Sequence, residues 1–224
     1  MRFLTVIFLL LFTANSISQN NYPYDKWKPK ELVAANNFNS VSFMDSTEKA
    51  VLYYVNLVRI NPKLFCTTFL QEYLDLNNLD ISNLYVASLI ATLNNSKSRN
   101  VLLADSNLFE MARFHAICMG KSGMVGHKDF EKRIKKYLKG KYDSTGENCS
   151  YGCRTAIDIF MSLLIDDGIS SLGHRSNILT IDFTSVGISI QPHKKYGINC
   201  VMDFGFDSLK YKEKTVVQKL FFWK

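Results

Sequence analysis

Apolar side chains recur at helical spacing in three segments of the chain, residues 45–60, 105–120 and 155–167. In each segment the apolar positions fall three and four residues apart, which predicts an amphipathic helix with one buried face. Gly120 is the expected end of the second helix, because glycine readily adopts the backbone that closes a helix. Between the first two, residues 63–99 are predicted to be helical in pieces interrupted by asparagines.

The first and third of these helices carry clear start signals. Asp45 is followed three residues later by Glu48, the spacing of a capping box. Thr155 precedes the third helix, and Asp158 stands at the position whose backbone N–H a capping threonine can bind. Both helices are therefore expected to begin at these residues.

Strict alternation of apolar and polar residues replaces the helical pattern near the end of the chain. Residues 184–190 and 198–204 alternate, which predicts two strands joined by a hairpin loop at 191–197. Several helices followed by an antiparallel pair predict an α+β domain, because repeated βαβ units would alternate the two element types.

The two ends of the chain differ from its middle. Residues 1–18 combine Arg2, an apolar run too short to cross a bilayer, and small residues before position 19, which predicts a cleaved signal peptide. A membrane anchor or a buried strand is the alternative interpretation. Residues 19–44 are predicted to form an extended lead-in, 45–206 the domain, and 207–224 a basic, aromatic tail. That tail either packs on the domain or makes peripheral contact with a membrane.

Composition narrows the classes of function. The 224 residues are 47% hydrophobic and 21% charged, as in globular proteins. The formal net charge of +7 falls to about +6 once Arg2 leaves with the signal peptide. Seven of the basic residues lie in segment 128–141, which is predicted to be a solvated loop or, alternatively, an electrostatic rim that attracts anions. Nucleic acid is not expected as a partner, because the chain is exported and contains no recognisable nucleic-acid module.

Export permits disulfides, and five cysteines are present. The odd number leaves at least one unpaired or paired between chains. Cys149 and Cys153 are the pair expected to form a bridge, whereas Cys118 and Cys200 lie on apolar faces and are expected to be small core residues. No Cys-x-x-Cys pair occurs, which disfavours a thiolate zinc site.

Titratable side chains stand beside glycine at three places, as Gly126-His127, Gly146-Glu147 and Gly173-His174. Glycine lets the backbone turn tightly and present its neighbour into a cleft. Two imidazoles and a carboxylate from separate loops can bind a divalent metal or transfer protons. His115 lies on the buried stripe of the second helix, where a hydrogen-bonded core histidine is expected ahead of a ligand.

Asp166 and Asp167 end the third helix. Negative charge at a helix C-terminus opposes the macrodipole, which favours cations there. These aspartates therefore either face solvent or meet a positive partner, which could be a protonated histidine, Arg175 or a metal ion.

An ordered set of motifs resembles the CAP superfamily of cysteine-rich secretory, antigen 5 and pathogenesis-related proteins, in its bacterial-type branch. The motifs run in series over residues 45–205. They are Val55-Asn56-x-x-Arg59-x-Asn61-Pro62, Leu108-x-x-Met-Ala-Arg-Phe-His-Ala, Gly126-His127, Gly146-Glu147-Asn148, Gly173-His-Arg-Ser-Asn-Ile-Leu179, Asp182-Phe-x-x-Val-Gly-Ile188 and Asp203-Phe-Gly205.

The resemblance implies a three-layer α-β-α sandwich with a mainly antiparallel sheet and a central cleft. It places His127, His174 and Glu147 in that cleft. The family's second acid is a glutamate that this chain lacks, and Asp166 or Asp167 is the nearest substitute. Such a site would suit Zn²⁺ or another divalent metal.

Two functions from different classes follow from the resemblance. The first is a secreted, non-enzymatic binding or effector module whose ligand is an extracellular protein or a lipid. The alternative is a metal-dependent hydrolase in which Glu147 serves as general base. An apolar groove would favour binding, whereas metal-bound water in reach of Glu147 would favour hydrolysis.

Overall fold

Helices pack on both faces of a four-stranded sheet in the computed structural model, which describes residues 23–208. Its helices are α1 (Pro29–Ala35), α2 (Ser46–Ile60), α3 (Pro62–Phe65), α4 (Gln71–Leu76), α5 (Leu84–Asn95), α6 (Ser106–Ser122), α7 (Phe130–Tyr137), α8 (Ala156–Ile165) and α9 (Gly173–Leu179). Its strands are β1 (Leu103–Ala104), β2 (Ser144–Tyr151), β3 (Ser185–His193) and β4 (Gly197–Phe206). The predicted signal peptide and residues 209–224 of the predicted tail lie outside the described residues.

The sheet has the order β1-β3-β4-β2, so β2 forms one edge. Strand β4 runs antiparallel to both β2 and β3, whereas the two residues of β1 pair parallel to β3. The α+β class and the mainly antiparallel sheet are therefore confirmed, with one short parallel pair that makes the sheet mixed.

Alternation along the strands sorts their side chains between two helical layers. Val186 and Ile188 of β3 belong to the main core, together with apolar residues of α2 and α8. Gly187 between them faces the other way, where a Cβ would overlap the backbone of α6 at Leu108 and Phe109. The sheet is thus the middle layer of the predicted sandwich, and glycine permits the close approach of α6.

The capped helices form as predicted. The Asp45 side chain accepts a hydrogen bond from the Glu48 N–H, and Glu48 accepts one in return from the Asp45 N–H. Thr155 accepts from the Asp158 N–H at the start of α8. Within the described residues, no helix is both long and apolar enough to cross a bilayer.

Gly120 does not end α6, contrary to the prediction. The helix continues to Ser122, and Gly123 closes it with a φ of 73°. Gly120 instead lies where a Cβ would overlap the carbonyl oxygen of Pro192. Its role is close packing against β3, which the sequence pattern does not distinguish from a helix end.

Two predicted irregular segments are partly regular. The lead-in is not extended, because it includes α1 and buries Trp27 and Phe38 in the main core. The predicted hairpin loop is shorter than 191–197, since strand pairing continues out to His193 and Gly197. In the lead-in, burial of apolar side chains favours regular structure despite the polar local composition. In the hairpin, backbone pairing has the same effect.

The predicted bridge between Cys149 and Cys153 is absent, and both thiols are free. Cys149 points toward α6, where it packs with Ala112, Ala116 and Val201. Cys153 follows the end of β2 and packs against the main core on the other side of the sheet. Cys200 is buried as expected, whereas Cys118 is only partly buried.

Candidate functional site

The first half of the site is a buried carboxylate bound by three side-chain nitrogens. Glu147 accepts two hydrogen bonds from the Arg133 guanidinium, Nη1 to Oε2 at 2.5 Å and Nη2 to Oε1 at 3.0 Å. Its Oε1 also lies 2.8 Å from Nδ1 of His127. Because an ionised carboxylate can only accept, that Nδ1 carries the proton and Nε2 is left as the acceptor nitrogen.

This carboxylate is ionised despite its burial. Burial alone would raise the pKa of Glu147, but the hydrogen bonds from His127 and Arg133 lower it to about 2. Only 1% of the Glu147 side chain is exposed, against 50% of the His127 side chain. The pair thus joins a buried, ionised carboxylate to an imidazole that is exposed to solvent.

The loop that carries His127 is held from two sides. His115 Nε2 lies 2.8 Å from the Gly126 carbonyl oxygen, and the Gly126 N–H donates to the Tyr151 hydroxyl at 2.9 Å. Burial lowers the pKa of His115, which favours a neutral ring that donates to that carbonyl. His115 is therefore the hydrogen-bonded core histidine that the sequence predicted, and it positions the loop through Gly126.

A second carboxyl group lies next to Glu147 inside the sheet. Asp203 of β4 is the direct partner of Glu147 in the strand register and is fully buried. Arg133 Nη1 approaches its Oδ2 only to 4.0 Å. Burial and the negative charge of Glu147 raise the pKa of Asp203 well above its ordinary value. The raised pKa favours the neutral form of Asp203, which would bring the summed charge of the two carboxyls and Arg133 close to zero.

The other half of the site is built at the junction of α8 and α9. Asp166 ends α8 with a φ of 62°, and its Oδ1 lies 2.7 Å from Nδ1 of His174. Its Oδ2 accepts from the Arg175 backbone N–H at 3.1 Å. The predicted positive or donating partner of the α8 aspartates is therefore His174 together with the start of α9. Asp167 faces solvent and takes no part.

The two halves meet along the edge strand β2. Glu147 points toward α6, whereas Asn148 points to the opposite face, where its Nδ2 donates to the His174 carbonyl oxygen at 2.9 Å. Asn177 of α9 donates to the side-chain oxygen of Asn148 at 2.8 Å. His127 and His174 thus approach the same edge from opposite faces of the sheet.

Only one compact group of three or more potential ligands occurs among the described residues, and it differs from the predicted one. Ligand atoms of His115, Glu147 and Cys149 lie within 4.8 Å of one another. This group suits a cation poorly, because Glu147 is saturated by Arg133 and His127 and burial raises the pKa of the Cys149 thiol. The predicted His127 and His174 are the more accessible ligands.

Comparison with known proteins identifies the family. The sequence profile of the Cysteine-rich secretory protein family, CAP, matches residues 52–204, which is more than half of the chain. The chain belongs to the CAP family. No protein with a curated description matches it.

Solved structures similar to this CAP protein include an outer surface protein of Borrelia burgdorferi, with 23% identity, a TM-score of 0.42 and coverage of 57% of this chain and 96% of the other. A venom allergen-like protein of Schistosoma mansoni has 13% identity, a TM-score of 0.47 and coverage of 72% and 89%. An extracellular SCP-domain protein of Bacillus anthracis has 18% identity, a TM-score of 0.38 and coverage of 58% and 42%.

His127 and His174 of this CAP chain each have a hydrogen-bond pattern that is common among metal-ligating histidines. In protein metal sites, a ligating histidine usually donates its second ring nitrogen to a carboxylate or a carbonyl. His127 and His174 both do so, to Glu147 and Asp166 respectively. Each Nε2 is left without a hydrogen bond to any of residues 23–208, so both are available as ligands.

Arg133 is a site residue that the sequence motifs did not predict. The basic segment around it was predicted to be a solvated loop, but residues 130–137 form α7, whose inner face packs Phe130, Ile134 and Tyr137 against α6 and Leu138. Arg133 lies on that same inner face and is 3% exposed. The apolar residues flanking Arg133 at helical spacing are the signal that sets it apart from the neighbouring lysines.

Proposed function

We propose that this CAP protein is an exported, non-enzymatic binding or effector module, and that His127 and His174 hold a divalent cation such as Zn²⁺ in its cleft. The observation that carries the proposal is the matched hydrogen bonding of the two imidazoles. Each has its Nδ1 within 2.8 Å of a buried carboxylate oxygen, and each leaves Nε2 for a ligand. Water or a group from an extracellular protein or lipid partner would complete the coordination.

Export in this proposal is supported by the predicted signal peptide at residues 1–18 and by the match of residues 52–204 to the Cysteine-rich secretory protein family. A bound cation would add positive charge at the edge of β2. That charge would favour partners with anionic or carbonyl groups.

Hydrolysis is less favoured than binding. A general base must have a free oxygen and a pKa near the working pH. Both oxygens of Glu147 accept bonds from Arg133, and the pKa is lowered to about 2. Glu147 therefore suits the orientation of His127 better than the abstraction of a proton from water.

Zinc titration by calorimetry of the chain from Gln19 to Lys224 tests the metal site. The double variant His127→Ala/His174→Ala is compared with Lys128→Ala/Ser176→Ala, which changes exposed neighbours of the same two residues. We expect saturable binding in the parent and the control, and its loss in the histidine variant. Equal binding in all three proteins, or none in the parent, would refute the metal site. Near-ultraviolet circular dichroism of each variant reports whether the fold is retained.

A further inference from the structure

A cavity lies between α1, the end of α2 and the segment 96–101. Its volume is about 760 Å³. Ile60, Pro62 and Val101 give it an apolar wall. We call it the α1–α2 pocket.

Three cationic side chains line the α1–α2 pocket, Lys30, Lys63 and Arg99. Within residues 23–208 none of the three forms an ion pair, whereas Lys132 and Lys141 are each paired with an aspartate. Arg99 is half-buried and binds only neutral groups, the Lys97 carbonyl and the Ser96 hydroxyl. The pocket therefore holds positive charge that no carboxylate of the described protein neutralises.

The one carboxylate on the lining is already occupied. Glu31 Oε2 accepts from the Lys28 N–H, and its Oε1 accepts from Asn61 Nδ2 at 3.2 Å. These bonds hold the carboxylate at the start of α1, where the helix dipole favours negative charge. The lining retains a net charge of +2, from three cations and one anion.

A buried arginine adds to the positive field. Arg59 is fully buried and donates only to carbonyl oxygens, those of Asn100, Ile178, Thr180 and Phe183. Burial and the nearby Arg99 charge lower the pKa of Arg59 to about 9. An anion placed beside Arg99 would relieve this repulsion, because a charge in a partly desolvated site interacts more strongly than one in water.

We propose that the α1–α2 pocket binds a small organic anion, with its carboxylate or phosphate group between Lys63 and Arg99 and a short aliphatic body against Ile60, Pro62 and Val101. The guanidinium of Arg99 suits the oxygens of such a group, and Lys63 adds a point charge. This site is separate from the proposed metal site and does not depend on it.

Calorimetric titration of residues 19–224 with hexyl phosphate tests the proposal, with hexanol and inorganic phosphate as partial probes. We expect hexyl phosphate to bind more tightly than either, and more weakly at high salt. In Lys63→Gln/Arg99→Gln the affinity should fall at least about tenfold, the loss of one or two charge-assisted hydrogen bonds. Lys128→Gln/Lys135→Gln removes the same charge from exposed sites elsewhere and should bind like the parent.

Lys63→Gln alone guards against misfolding of the double variant, because the Lys63 ammonium makes no hydrogen bond to the described residues; it should weaken binding about threefold. Sedimentation with phosphatidylglycerol vesicles separates the sources of the anion. Vesicle binding lost in the double variant identifies a lipid headgroup, and hexyl phosphate binding without vesicle binding identifies a soluble ligand. Absence of hexyl phosphate binding, equal affinity for hexanol, or equal loss in the control variant would overturn the proposal.

Discussion

The two histidine–carboxylate pairs reach the same geometry by different electrostatic means. Nδ1 of His127 and Nδ1 of His174 lie 2.8 and 2.7 Å from their carboxylates. Glu147 is neutralised by a guanidinium brought in by a separate helix, α7, whereas Asp166 is held by the backbone N–H of Arg175. The Arg175 side chain turns away and donates to carbonyl and hydroxyl oxygens, including those of Leu164 and Ile165.

The His127 pair depends on contacts between residues that are distant in sequence, whereas the His174 pair depends on local contacts. The His174 pair forms within residues 164–175, at the junction between the end of α8 and the start of α9. The His127 pair requires α7 to dock so that Arg133 reaches β2. A buried ion pair costs desolvation when it forms and costs more when one partner is removed. The Glu147 half should therefore be the more sensitive to substitution.

Arg133→Gln should have the largest effect. It leaves the buried Glu147 carboxylate without its guanidinium partner, and we expect a loss of about 3–5 kcal/mol in the free energy of unfolding. Urea denaturation followed by circular dichroism measures it. Lys132→Gln, on the exposed side of the same helix, should change stability by less than about 0.5 kcal/mol. Similar values for the two variants would show that Arg133 is a surface residue in energetic terms.

The second-largest effect is expected from acid, which should destabilise the Glu147 half of the site. The pKa of Glu147 is lowered from 4.5 to about 2, so the folded state binds fewer protons than the unfolded state between these values. The stabilisation is complete above about pH 4.5 and is lost as the pH falls through 2, with a magnitude of about 3 kcal/mol. Between pH 5.5 and pH 2 the parent should lose more stability than Glu147→Gln. An equal loss of stability in the two proteins over this pH range would contradict this assignment.

The long helices and the local half of the site were predictable from sequence. The apolar stripes, the caps of α2 and α8, and the unfavourable position of Asp166 at a helix C-terminus are all local signals. The α+β class followed from the order of the elements. The family resemblance supplied the set of two imidazoles and two acids, with Asp166 or Asp167 in place of a glutamate, but not which imidazole contacts which acid.

The long-range half was only partly predictable. Strand β2 carries no regular apolar alternation, because Glu147 on one face and Asn148 on the other serve the site instead of the core. Helix α7 is short and rich in lysine, so its composition resembled a solvated loop. The apolar residues around Arg133 mark the inner face of α7, but the sequence does not show that Glu147 lies opposite that face, because this depends on how α7 packs in the fold.

A matched pair of substitutions tests the local half. Asp166→Asn removes the charge that faces His174 and the Arg175 N–H, and we expect a loss of about 1–3 kcal/mol. Asp167→Asn, the exposed neighbour, should stay within about 0.5 kcal/mol of the parent. Thermal or urea unfolding of both variants decides the matter. A larger loss from Asp167→Asn would show that Asp167, and not Asp166, is the aspartate on which this half of the site depends.

Asp203→Asn should have the smallest effect and should carry the opposite sign. Burial and Glu147 raise the pKa of Asp203, so the folded state keeps a proton that the unfolded chain releases above pH 3.8. Stability is therefore lost as the pH rises past that value, and an asparagine, which does not titrate, removes the loss.

We expect Asp203→Asn to gain stability relative to the parent as the pH rises from 4 to 8, and to be nearly equal to it at pH 4. Urea unfolding at the two pH values measures the difference. Asp166→Asn, in the half that has no second carboxyl beside its aspartate, serves as the control and should show no such gain at high pH. Equal destabilisation of Asp203→Asn at both pH values would contradict this expectation and would indicate that Asp203 is an ionised partner of Arg133.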